Sequence, residues 1–73
     1  MHKTDIKRDT NFKTRHDAFQ YIEYMFQEAK LSNEKFEMLG AKTYAKHTRR
    51  CLRYLKNAVS KFRDLSIQEE KNF

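Results

Sequence analysis

A single glycine, Gly40, and no proline punctuate 73 residues. A sheet of several strands reverses every few residues and takes its turns largely from glycine and proline, so this chain is equipped for little more than one reversal. Its apolar residues recur at intervals of three and four, the helical period, rather than at two. The expectation is an all-α helical hairpin turning at Gly40, because glycine alone enters the left-handed helix-terminating conformation without penalty. The length admits one domain, near the size at which a single core is only marginally sufficient.

Residues 1–14 are polar, patternless and rich in Thr, Asp and Lys, and predict a flexible basic arm with Phe12 a candidate for packing down. Beyond Thr14, a suitable cap, Ala18, Phe19, Ile22, Met25, Phe26 and Ala29 draw one apolar stripe. Asp17 falls in the first turn, where the helix dipole favours an anion. Helix one is therefore expected over residues 15–38, with Ser32 and Asn33 able to cap a fresh start inside it and one helix, with room for a bend there, the favoured reading. Helix two is expected over 41–68, giving a helical domain of 15–70 and a tail of 71–73.

On helix two Ala41, Ala45, Thr48, Leu52, Leu55, Val59, Phe62 and Ser66 follow one another at alternating spacings of four and three, a coiled-coil-like seam. A second line, Tyr44, Cys51, Ala58 and Leu65, repeats every seven residues beside it. Together they make an apolar face too broad for one neighbouring helix. With ten aromatic residues to cover, two hairpins joining as a homodimeric four-helix bundle is the expected solution. A monomer sealed by Phe12, Phe36 and the helix ends is the alternative.

Charge is unevenly spread. The net charge of +6 lies in the arm and in residues 41–63, which hold eight basic side chains and no acidic one. Helical spacing makes six same-sign neighbour pairs among Lys42, Lys46, Arg49, Arg50, Arg53 and Lys56, each costing roughly 0.2–0.5 kcal/mol on an isolated helix. A polyanion relieves that repulsion, and phosphate backbones suit a cationic row because each neutralised phosphate releases counterions. Intramolecular neutralisation competes: if the hairpin reverses at Gly40, Glu34 comes level with Lys46 and Glu28 with Arg53. The candidate nucleic-acid-binding set is Lys42, Lys46, Arg49, Arg50, Arg53 and Lys56, with Lys7, Arg8, Lys13 and Arg15 from the arm. Arg49, Arg50 and Lys56 are the charges expected to be least satisfied within the chain.

Other chemistry finds few parts. His47 and Cys51 stand four apart, but two ligands do not make a metal site, and the expectation is a surface imidazole beside a buried thiol. There is no phosphate-binding glycine loop and no nucleophile elbow, so neither an enzyme nor a cofactor is expected. Tyr21 and Tyr54 read as edge-of-core residues rather than base-stacking platforms. No apolar run approaches the roughly 20 residues that span a bilayer. A lone cysteine and no charged-then-apolar leader make the cytoplasm the expected compartment.

The run Gly40–Glu70 resembles the small bacterial linker-histone-like proteins related to the chlamydial histone-like proteins. The likeness rests on Gly40 at the turn, the basic pair Arg49-Arg50, Leu55, and the ending Phe62, Arg63, Ser66, Ile67 and Glu69, all in register without a gap. The long Lys- and Ala-rich tail that some members use on DNA has no counterpart in these residues, and Tyr44 and Tyr54 stand where the family has small or polar ones. The resemblance implies a histone-like, dimeric hairpin associating with DNA without base specificity, in a bacterial nucleoid or, for a phage protein, in the host cytoplasm. The alternative is a phage- or mobile-element-encoded inhibitor or antitoxin that binds RNA or docks on one protein partner with an acidic surface. A cationic row reads neither sugar nor base, so DNA and RNA both stay open.

Overall fold

A computed structural model describes residues 11–72, and it is an all-α hairpin of two helices, α1 over Arg15–Leu39 and α2 over Lys42–Glu70. Thr14 caps α1: its backbone is extended, and its Oγ1 accepts a hydrogen bond from the Asp17 N–H at 3.2 Å. Gly40 ends the helix in the left-handed conformation, with φ of 70° and its N–H donating to the Phe36 carbonyl at 2.7 Å. Between these two local signals α1 runs unbroken through Ser32 and Asn33. Only Gly40 and Ala41 separate the helices. Residues 1–10, most of the expected flexible arm, lie outside the described residues; Phe12, from its last part, packs on Tyr21 with ring centroids 5.3 Å apart.

The hairpin is a plate of 49 × 18 × 14 Å, little thicker than one helix of roughly 10–12 Å, so its core is one seam between two helices. Ala18, Met25, Ala29 and Ser32 fill that seam from α1, and His47, Cys51 and Ala58 from α2. Apart from Met25 and His47 these are small, which lets the backbones come close. Ser32 is part of the packed line, its Oγ donating to the Tyr44 carbonyl at 2.8 Å. Tyr21, Tyr54 and Leu55 close over Met25, Ala29 and Cys51 from the sides.

The seam predicted for α2 is therefore displaced by one row. The line facing α1 is the second one, Tyr44, Cys51, Ala58 and Leu65, together with His47, whereas Leu52 and Val59 are 47% and 45% exposed. On α1 the stripe divides likewise, with Ala18, Met25 and Ala29 inside and Phe19 and Phe26 half-exposed. An apolar arc wider than one neighbour lets α1 take its small-residue edge rather than its centre. The large residues flank the contact, and Phe19 and Phe62 meet edge to face at 5.6 Å on one broad side of the plate.

Candidate nucleic-acid interface

Away from α1, α2 turns its basic residues outward, because positions 42, 46, 49, 53 and 56 follow the helical repeat opposite Cys51 and Ala58. Lys46, Arg49, Arg50 and Arg53, with Thr43 and His47, line an open recess of ≈ 380 Å³. No acidic side chain lines it. Lys42 and Lys56 are exposed on the same ridge, above and below the recess. Among the described residues Lys42, Lys46, Arg49, Arg53 and Lys56 form no ion pair; the Arg53 guanidinium lies over the Tyr54 ring, 5.7 Å from its centroid.

The expected internal neutralisation does not form. Glu28 and Arg53 are level along the hairpin, but Arg53 points outward, and Glu28 faces His47 instead, with Oε1 3.7 Å from Nε2. Glu34 and Lys46 fail for the same reason, both lying on outer faces. Height along the helices brings these pairs level, and rotation about the helix axes sets them apart.

His47 is buried, not superficial, at 4% exposure. An Arg50 Nη2 stands 3.5 Å from its Nδ1 and the Cys51 Sγ 3.6 Å from its Nε2. A guanidinium only donates, so Nδ1 is the accepting nitrogen in the contact with Arg50, while Nε2 faces Glu28 and Cys51. Burial pushes the Cys51 thiol above its ordinary range and the Glu28 carboxylate adds to that rise, while Arg50 opposes it. Arg50 is thus a half-buried wall of the recess folded against His47. Among the described residues no group of three or more His, Cys, Asp or Glu side chains is placed to hold a metal ion.

The arm residues fall elsewhere. Arg15 is at the open end of the hairpin, its Nε 3.3 Å from Glu69 Oε1 and its backbone N–H donating to Glu69 Oε2 at 2.7 Å. It does not join the ridge. Lys13 is exposed near that same end, and Lys7 and Arg8 lie outside the described residues. Thr43 and His47 are the recess residues that the sequence reading omitted; their spacing to Lys46, Arg50 and Arg53 on one helical face was the available signal. Tyr21 and Tyr54 pack at the core edge, in keeping with their structural reading.

The turn end concentrates unrelieved charge. α2 begins at Ala41 with no side-chain cap and no acid in its first turn, and α1 ends with no basic residue in its last turn. Lys42 beside the positive pole of α2, and Glu37 beside the negative pole of α1, both oppose the helix dipoles. Among the described residues no helix is long and apolar enough to cross a membrane. Comparison with protein-family models, curated proteins and solved structures gives no match for the chain.

Proposed function

We propose that this hairpin is a small histone-like protein that binds nucleic acid through phosphates, as a homodimer and without strong base specificity. The observation that carries the reading is the acid-free recess where Lys46, Arg49, Arg50 and Arg53 converge, with Lys42 and Lys56 extending it along α2. Four cations within three helical turns repel one another, and a phosphate backbone turns that cost into attraction. Such contacts position a protein on a duplex and carry no sequence information. DNA in a nucleoid, or in the cytoplasm of a phage host, is the favoured partner; RNA is the variant that the ridge itself does not separate.

The test is binding to duplex DNA, single-stranded DNA and RNA across a salt series, with the wild type and Arg49→Glu/Arg53→Glu. If about five phosphates are neutralised, log K for duplex DNA falls with log salt at a slope of about −4 to −5, and the double variant loses binding with its helicity intact. A flat salt response sinks the reading.

A protein partner is the second reading, favoured by a separate apolar notch of ≈ 370 Å³ at the turn, lined by Leu31, Glu34, Lys35, Met38, Leu39 and Tyr44. Met38 there is 81% exposed and Leu39 65%. Co-purification separates the two: absorbance at the nucleic-acid band removed by nuclease supports the first, a stoichiometric protein the second.

A further inference from the structure

The broad side of the plate opposite the recess carries the apolar residues that the hairpin does not bury. Phe19 and Phe26 are 50% and 54% exposed there, alongside Leu52 and Val59, with Ile22, Leu55 and Phe62 half-buried between them. On α2 this side contains the four-three seam from Ala45 to Ser66, the spacing that knobs-into-holes packing requires. Because α1 occupies the neighbouring row and takes only the Leu55 and Phe62 edge of that pattern, its outer edge at Leu52 and Val59 has no helix against it among the described residues.

We infer that this side is the self-association face, and that it stacks α1 of each copy on α2 of the other, in antiparallel contact, with both turns at the same end. This deepens the homodimer named above by assigning its face and its pairing, and it does not depend on nucleic-acid binding. Two features select a second copy as the occupant. The plate's extents give this side a footprint of roughly 900 Å², matching the ~800 Å² per partner of a standard interface. The pattern is helical along its whole length, as a partner of two equally long helices requires.

Charge selects the pairing. The flank of α1 bordering this side carries Glu23, Glu34 and Glu37 with one basic group, Lys30, whereas that of α2 carries Arg49, Lys56 and Arg63 with one acidic group, Glu70. Stacking α2 on α2 would bring two acid-free stretches together, while stacking α1 on α2 sets the acidic flank against the basic one. A two-fold axis parallel to the helices does this and keeps each residue at its own height. Thr43, His47 and Arg50 lie on the other side of α2, so each recess stays open in the dimer except at its Arg49 edge, which borders the partner.

The test uses the full chain free of nucleic acid. Sedimentation from low to high micromolar concentration should give twice the 8.9 kDa chain mass, with a Tm that rises with concentration. Phe26→Glu and Val59→Glu alter half-exposed sites and should leave either a monomeric hairpin or an unfolded chain. A wild-type monomer, or a larger assembly, overturns the inference; a monomer with a steep salt slope for DNA leaves the nucleic-acid reading standing. A wild-type dimer that survives both substitutions overturns the face alone. Pairing is read in a Cys51→Ala background by oxidising mixed Phe26→Cys and Leu52→Cys chains. Mixed cross-linked dimers are expected, and predominant linkage of Phe26→Cys chains to one another overturns the pairing.

Discussion

Cys51 shows how one side chain carries information from its surroundings. It is fully buried, faces His47 and lies under the influence of Glu28, and its thiol is held neutral above the ordinary 9.0. A folded-state value above the unfolded one means that the associated stability is fully present below pH 9.0 and is lost as pH rises through the raised value. The stability difference between wild type and Cys51→Ala should therefore narrow above that pH, as read by chemical denaturation at a series of pH values. Native chains should also resist thiol alkylation until denaturant is added, since burial and a scarce thiolate both slow the reaction. Fast native labelling would contradict the buried placement. Thr14 and Gly40 were legible because a cap and a left-handed stop are decided by a few neighbours in sequence. His47 and Ser32 were not, since the polar type of His47 argued for the surface and that of Ser32 for a cap, while the spacing of both continued the buried lines.

At the level of the helices, residue size is inverted relative to the usual core. Small side chains are inside, and several of the largest are outside: Ala18, Ala29, Cys51 and Ala58 are buried, while Phe19, Phe26 and Leu52 are half-exposed. The closeness of α1 and α2 depends on that smallness, so enlarging the line should wedge them apart. Ala58→Leu is expected to destabilise by about 1–3 kcal/mol, the usual cost of overpacking, whereas Ala41→Leu, at an exposed position, should change stability little. Urea titration with circular dichroism checks both, and equal effects would argue against this packing. The same smallness explains why the sequence located the helices but misplaced their contact. Periodicity gives the full apolar arc, whereas which edge of it meets α1 depends on close backbone approach and on the short link through Gly40 and Ala41. The ridge was legible because Lys42, Lys46, Arg49, Arg53 and Lys56 sit opposite the buried line whichever edge is used. The Glu28–His47 contact is not legible in the sequence, because it depends on rotation about the helix as well as on height along it.

For the molecule as a whole, the ion pair between Arg15 and Glu69 is the far end of a graded series of contacts. Ser32 meets Tyr44 at 12 residues of separation, Glu28 meets His47 at 19, Phe19 meets Phe62 at 43, and Arg15 meets Glu69 at 54. Each contact, once made, shortens the loop that the next must close, so the entropy of joining distant residues is met in small steps. Folding then resembles a zipper drawn from Gly40, with the Arg15–Glu69 clasp the last tooth to engage and the first to part. Gly40→Ala meets no atom within 4 Å, so its cost of about 1–2 kcal/mol is purely that of the left-handed backbone. It should appear mainly as slower folding, whereas Glu69→Gln at the clasp should appear mainly as faster unfolding, both read from stopped-flow chevrons. The reverse assignment would show that closure begins at the open end. Two helix ends held by a clasp and joined by one short turn thus give the hairpin a direction in time as well as in space.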